Sequence, residues 1–277
     1  MALAPFLIML REGLEAALIV GVIASYLQRA GLRAWLPAIW VGTFLAIALS
    51  LLVGALLQFA SAEFPQKAQE LFEAMIGAAA AAMLTAMAFW MRRAGHAMSS
   101  EIRRGVDEAL ASSHGVARAL ISMAFLAVAR EGLESVFFLL AIFQQGAGPT
   151  AALSALAGLA VAMLLGLAIY HGGARIDLRR FFRWTGVFIL VVAAGLLAGA
   201  LRHLHEAGLW NLLQSRIYDL TTVLPTSSPL GALLSGVFNY QDSPTLGEAI
   251  VYGVFLATVL FLFLRPHPAR SSIAAPA

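Results

Sequence analysis

One charged pentapeptide, Arg-Glu-Gly-Leu-Glu, occurs twice in the chain: residues 11–15 form the first motif and residues 130–134 form the second motif. In a helix, residues three or four positions apart share a face, so the two carboxylates of each motif project together and the arginine can pair with the second one. Carboxylate oxygens are the ligands that hard multivalent cations prefer, so two motifs facing each other predict a cation site. The candidate ligands are Glu12, Glu15, Glu131 and Glu134, with Arg11 and Arg130 as ion-pair partners.

The composition of the chain shows where these motifs must lie. Of 277 residues, 61% are hydrophobic and 12% are charged, whereas soluble domains carry about 25% charged residues. Residues 34–62 and 135–174 contain no Asp, Glu, Lys or Arg. These features predict a polytopic membrane protein and make a nucleic-acid partner unexpected. The absence of cysteine excludes disulfides, thiolate metal sites and CxxC redox chemistry.

Seven segments are long and apolar enough to be transmembrane helices, since roughly 20 apolar residues cross a bilayer. They are 5–27, 35–58, 71–91, 118–143, 150–171, 184–201 and 246–264. The predicted fold is therefore all-α and forms one membrane domain. Because the motif recurs in the first and fourth segments, which would run in opposite directions, we expect a 3+3 inverted repeat followed by a seventh helix. The predicted parts are 1–91, 118–201, the outer loop 202–245, the helix 246–264 and a disordered tail 265–277.

The basic residues divide unevenly between alternate loops. Thirteen fall on one side and three, Lys67, Arg202 and Arg216, fall on the other. Cytoplasmic loops carry the excess of Lys and Arg. We therefore expect the N-terminus outside, the C-terminus in the cytoplasm, and a location in the bacterial inner membrane.

Charged side chains inside transmembrane helices need oppositely charged partners. A charged residue at the centre of a membrane helix costs about 2.5–3.5 kcal/mol, so six left unpaired would cost on the order of 15–20 kcal/mol. One alternative to a cation site is a structural lock, in which each motif joins two helices through an Arg–Glu pair. A lock needs only one glutamate from each motif, so the second glutamate remains unexplained and favours the cation site. The motif glycine would let another helix approach closely.

Other polar residues cluster near the ends of the predicted spans. On the outer side these are Glu70, Glu73, His203, His205 and Glu206. They are candidates for collecting cations at the outer mouth, although helix-dipole and interfacial roles remain open. On the inner side Glu101, Asp107 and Glu108 are candidates for a weak exit site. The alternative for the inner loop 92–117 is a solvated amphipathic helix.

The duplicated motif resembles that of the iron permeases of the oxidase-dependent iron transporter family. The resemblance extends over Pro5–Ala24, Glu63–Thr85, Ala127–Phe143 and His205–Asn211. It implies that the four motif glutamates coordinate iron along the permeation path, in a seven-helix protein with its N-terminus outside. It also implies bacterial partners, a periplasmic cupredoxin-like protein and a haem peroxidase. Iron would be the transported substrate, and no permanently bound cofactor is expected.

Several rival functions remain at this stage. The oxygen ligands alone would equally suit a permease for another multivalent cation. An intramembrane hydrolase is less favoured, because the chain has no HExxH motif and no Ser–His arrangement within the spans. A non-transporting assembly subunit would use the motifs as locks. The oxidation state is open, since Fe³⁺ prefers carboxylate oxygen more strongly whereas the bacterial members that the motif resembles carry the ferrous label.

Overall fold

A computed structural model describes residues 3–62, 64–94, 98–111, 115–144, 149–170, 178–228, 230–231, 234–235 and 240–265. These residues form eight α-helices and no β-strand, and Arg216 and Thr245 make an isolated antiparallel bridge. The helices are α1 Leu3–Arg29, α2 Leu36–Ala62, α3 Gln66–Ala94, α4 Met98–Leu110, α5 Val116–Gln144, α6 Pro149–Tyr170, α7 Leu178–Glu206 and α8 Leu246–Leu264. The all-α prediction is confirmed for the described part of the chain.

Five of these helices are long and apolar enough to cross a membrane: α2, α3, α6, α7 and α8. Helices α1 and α5, with 27 and 29 residues, also have the length. They differ from the five because they carry the charged motifs. The seven predicted crossings therefore remain a prediction for α1 and α5, and the multi-pass membrane architecture is supported by the other five.

Helices of the first half pack mainly against helices of the second half. Helix α1 lies on α6, α2 lies on α5, and α3 lies on α7, while α8 covers another side of α7. Helix α1 also contacts α5, which brings the two motif-bearing helices together. The core between them is built from apolar side chains of α1, α3, α5 and α7.

The motif glycine is a point of close contact in both the α1–α6 pair and the α5–α2 pair. A Cβ atom on Gly13 of α1 would lie 2.8 Å from the Cβ of Ala162 in α6, and one on Gly132 of α5 would lie 3.0 Å from the Cβ of Ser50 in α2. The motif glycine thus admits a neighbouring helix in both halves, as its lack of a side chain predicted.

A second pair of contacts repeats the same register. A Cβ on Gly166 would lie 2.6 Å from the Cβ of Ala17, and one on Gly54 would lie 3.4 Å from a methyl carbon of Val136. In both sets of contacts the α5 residue follows its α1 counterpart by 119 positions, and the α6 residue follows its α2 counterpart by 112. These α1–α6 contacts therefore correspond to the α5–α2 contacts in the same sequence register.

Several predicted boundaries need correction. Helix α7 continues through the last predicted apolar residue, 201, to Glu206, so His203 and His205 lie inside the helix and not after it. Helix α3 likewise begins at Gln66, five residues before the predicted start. The physical reason is that apolar patterning marks only the part of a helix in hydrocarbon, whereas helical hydrogen bonds continue into the polar end.

Helix α4 confirms the amphipathic helix that was the alternative for the inner loop. Its Ile102, Val106 and Ala109 pack against apolar residues at the adjacent ends of α1, α2 and α5. The opposite face carries Asp107 and Glu108, which are exposed. The helix therefore covers this end of the bundle with its apolar side.

The outer segment between α7 and α8 is held mostly by turns in its described residues. Asp242 accepts hydrogen bonds from the backbone N–H and the hydroxyl of Thr226, each at 3.1 Å, and these bonds lower the pKa of that carboxyl from its usual value. Thr245 caps α8 by accepting from the Glu248 N–H at 3.3 Å, a spacing typical of a capping box. The predicted tail lies outside the described residues, apart from Arg265.

Candidate metal centre

The first motif is buried in the middle of the helix bundle. The Nε of Arg11 donates to Glu15 Oε1 at 3.2 Å, and only 1% and 3% of the two side chains are exposed. Glu12 is also buried, and both of its carboxylate oxygens lack a hydrogen-bond partner. The predicted Arg–Glu pair is therefore confirmed, and the extra glutamate is left unsatisfied.

The second motif forms the same pair in more open surroundings. The Nε of Arg130 donates to Glu134 Oε1 at 3.1 Å, but 58% of the arginine side chain and 15% of the glutamate side chain are exposed. Glu131 is buried, and its Oε2 has no hydrogen-bond partner. In each motif the arginine thus pairs with the second glutamate, and at least one carboxylate oxygen of the first glutamate has no hydrogen-bond partner.

Three motif carboxylates meet between α1 and α5. Glu12, Glu131 and Glu134 each offer an oxygen, and these atoms lie within 4.8 Å of one another. Ligand atoms that share one ion at bonds of about 2.0–2.6 Å lie at most about 4–5 Å apart. The spacing therefore suits a single cation held by both halves of the chain. Glu15, the fourth predicted ligand, is not in this group and stays with Arg11.

The C-terminal end of α3 touches both motif arginines, which the sequence did not indicate. The Arg130 guanidinium carbon lies 5.3 Å from the centroid of the Trp90 ring, a cation–π distance. The next residue, Met91, places its sulfur against the Arg11 guanidinium. A tryptophan near a span end is ordinarily a membrane anchor, and a methionine ordinarily fills gaps in packing. No sequence signal distinguished these contacts from such ordinary roles.

Four of the five outer residues come together across α3 and α7, and we call them the outer cluster: Glu70, Glu73, His203 and Glu206. His203 Nδ1 lies 2.8 Å from Glu70 Oε2, 3.4 Å from Glu73 Oε2 and 3.8 Å from Glu206 Oε2. His205, the fifth residue, makes none of these contacts, and both of its ring nitrogens are buried without a partner. Residues two positions apart do not share a helix face, which fits the different surroundings of the two histidines.

The residues predicted for an inner exit site do not form a comparable cluster. Asp107 accepts a hydrogen bond from the hydroxyl of Tyr26 in α1, and Glu108 is exposed. The side chain of Glu101 lies outside the described residues. Among the described side chains, neither Asp107 nor Glu108 belongs to a group spaced to hold a metal ion. An exit site at α4 is thus still a prediction.

The helices and the buried carboxylates define a multi-pass membrane protein, and comparison with known proteins identifies the class. Residues 2–266 match the Iron permease FTR1 family, and the chain belongs to that family. A protein named "Ferrous iron permease EfeU" in Yersinia pestis is 52% identical over 273 residues, which cover 98% of this chain and 97% of that protein. The protein of the same name in Escherichia coli O6:K15:H31 is 50% identical over 268 residues, 97% of each chain. No solved structure matches the chain.

The family membership confirms the resemblance that the duplicated motif indicated. The relatives are named as permeases, so the chain is a transporter and not an enzyme, and the intramembrane hydrolase is set aside. Membership supports iron transport across a membrane, with iron as the substrate.

Proposed function

We propose that this chain moves iron through a carboxylate site shared by the two motifs. The observation that carries the proposal is the meeting of Glu12, Glu131 and Glu134 within 4.8 Å, with three of their buried oxygens lacking any hydrogen-bond partner. A buried carboxylate without a partner is strongly unfavourable. A bound cation would satisfy these oxygens, and iron is the ion that the family transports.

A structural lock between the two motifs explains fewer of the observed contacts than a cation site does. Each arginine pairs with the second glutamate of its own motif, on the same helix, so neither pair joins two helices. The groups that do meet across α1 and α5 are acids, and acids alone repel each other. Such a contact is favourable when a cation lies between the carboxylates.

The two halves are proposed to form an inverted repeat that includes α1–α3 and α5–α7, with α8 as the seventh spanning helix. Support comes from the reciprocal contacts at Gly13 and Gly132, and from those at Gly54 and Gly166, which share one register. Transporters with inverted repeats place their substrate site near the midplane, between the repeats. The meeting of the motifs between α1 and α5 fits this plan.

Transport is proposed to run inward across the bacterial inner membrane, with the N-terminus outside and the C-terminus in the cytoplasm. Iron would be collected at the outer cluster and released toward α4. The excess of basic residues in alternate loops supports this orientation. Since the chain has no native cysteine, single cysteines at Thr222 in the outer segment and Ala111 after α4, both exposed, would report sidedness. An impermeant maleimide added to intact cells should label the first and not the second, and the reverse pattern would invert the orientation.

Two parts of the proposal come from resemblance. The relatives carry the word ferrous in their names, so Fe²⁺ is the proposed form at uptake, with Fe³⁺ as the alternative. The cupredoxin-like protein and the haem peroxidase are proposed partners on the outer side. Both can be tested by supplying iron in each oxidation state, with and without such partners.

The test is radioiron uptake into proteoliposomes that contain the purified chain. The wild type is compared with Glu12→Gln and Glu131→Gln, which keep the side-chain shape and remove the charge. We expect uptake by the wild type and a fall of about tenfold or more in either variant, because each loses a ligand. Folding of the variants is checked by size-exclusion elution and thermal melting.

The matched control is Glu248→Gln, which removes a buried carboxylate that pairs with Arg202 Nη2 at 3.3 Å, away from the motifs. It should keep most of the uptake. Well-folded motif variants that transport iron as fast as the wild type would refute the site and favour the lock. Competition by manganese, zinc and lead would show whether another multivalent cation is the better substrate.

A further inference from the structure

The outer cluster has more negative charge than its one histidine can balance. Three carboxylates converge on His203 Nδ1, at 2.8, 3.4 and 3.8 Å. One ring nitrogen can donate one hydrogen bond, so at most one of the three acids is satisfied by it. Even with the imidazole protonated, three ionised acids would leave the cluster at a net charge of −2. A further cation bound among these carboxylates would balance that charge.

Hydrogen bonds from neighbouring polar groups hold the cluster in place. The Gln69 amide donates to Glu73 Oε1 at 3.0 Å, so the other oxygen of that carboxylate is the one that faces His203. Arg202 precedes His203, but its Nη2 lies 3.3 Å from Glu248 of α8. Hydrogen bonds that fix the orientation of a ligating group are typical of metal sites.

We propose that the outer cluster is a second metal site, separate from the motif site, and that it binds a divalent transition-metal ion. Ligand atoms at about 2.1 Å from one ion lie about 3.0 Å apart in an octahedral site and about 3.4 Å apart in a tetrahedral one. The observed separations from His203 Nδ1 bracket these values. Glu70, His203 and Glu206 also place ligand atoms within 4.8 Å of one another.

The imidazole gives this site a different preference from that of the motif site. The motif carboxylates offer oxygen only, which Ca²⁺ and Mg²⁺ also accept. A nitrogen ligand instead suits ions such as Fe²⁺, Zn²⁺ and Ni²⁺. His203 and Glu70 are 14% and 17% exposed, so water and ions can reach the cluster from the surface. The outer cluster therefore selects against Ca²⁺ and Mg²⁺ before an ion reaches the motifs, a role that rests on the proposed inward transport.

Binding can be measured without transport, using Mn²⁺ as the probe on the purified full-length chain in detergent. Electron spin echo modulation detects a nitrogen ligand to bound Mn²⁺ directly. We expect a ¹⁴N coupling in the wild type, its loss in His203→Gln, and Mn²⁺ affinity weaker by about tenfold or more in that variant. The coupling should persist in Glu12→Gln, which alters only the motif site. Excess Mg²⁺ or Ca²⁺ should not displace the nitrogen-coupled Mn²⁺.

His205→Gln is the matched control, since this histidine lies two residues away on the same helix and outside the cluster. Loss of the ¹⁴N coupling in His205→Gln but not in His203→Gln would overturn the assignment, as would a wild type without any ¹⁴N coupling. Displacement by Mg²⁺ would remove the selectivity claim. If the coupling is present but iron uptake is absent, the proposed transport fails and the outer metal site stands.

Discussion

The two motifs have the same five residues and the same internal ion pair, yet they lie in different surroundings. In the first motif, Arg11 and its partner are almost fully buried, whereas more than half of the Arg130 side chain in the second motif is exposed. The internal geometry is nearly identical, with Nε–Oε1 distances of 3.2 and 3.1 Å. Local sequence thus determines the pair, and the neighbouring helices determine its environment.

The end of α3 is where the two environments diverge. Trp90 lies beside Arg130 and Met91 lies beside Arg11, so one helix end contacts a charge from each half. The glycine contacts therefore match between α1–α6 and α5–α2, whereas the end of α3 contacts both arginines, of which Arg130 is the more exposed.

The largest expected difference between the motifs is in stability. Arg11→Gln should lower the free energy of unfolding by about 3–5 kcal/mol, because it leaves Glu15 charged and buried without a partner. Arg130→Gln should lower it by less, because 58% of the Arg130 side chain is exposed and its loss leaves less buried charge without a partner. Unfolding by SDS in mixed micelles would measure both. The double variant Arg11→Gln/Glu15→Gln should recover part of the loss, and equal effects of the two single variants would remove the distinction.

A smaller effect is expected at the motif glycines. Gly13→Ala and Gly132→Ala should each destabilise by about 1–3 kcal/mol, because the new methyl group overlaps Ala162 or Ser50. Gly21→Ala is the matched control on α1, since a Cβ there has nothing within 4 Å. Ala162→Gly should rescue Gly13→Ala. If Gly21→Ala is as harmful as Gly13→Ala, close helix approach is not the reason for the motif glycine.

The smallest effect concerns the contact that differs between the halves. Trp90→Leu should lower the free energy of unfolding by about 0.5–1 kcal/mol through loss of the cation–π contact with Arg130. A double-mutant cycle with Arg130→Gln separates this contact from the loss of apolar area. A coupling energy of zero would show that the ring does not act on the guanidinium.

Much of the local structure was predictable because it depends on short spacings. The i,i+4 pairing in each motif, the close approach at Gly13 and the Thr245 cap all follow from geometry within a few residues. The amphipathic alternative for the inner loop was also readable from its alternation of charged and apolar residues. These features need no knowledge of which helices become neighbours.

The candidate residues of the two sites were predictable, but which of them meet was not, because that depends on packing between distant helices. Spacing indicated four motif ligands, but the arrangement of α1 against α5 brings Glu12 to the second motif and leaves Glu15 with its arginine. Likewise, nothing near His203 in the sequence indicates Glu70, which α3 supplies from 133 positions away. Apolar patterning also stops where a helix leaves hydrocarbon, which is why α7 was predicted too short to include its histidines.

The central claim is that the two motifs hold one iron ion between them, and equilibrium binding of radioactive Fe²⁺ tests it most directly. Glu12→Gln, Glu131→Gln and the double variant are compared in a His203→Gln background, so that the outer cluster does not contribute. A shared ion predicts that each single variant weakens binding strongly and that the double variant weakens it by far less than the product of the two effects. Effects that multiply, or single variants that bind as the background does, would contradict a site built jointly by both halves.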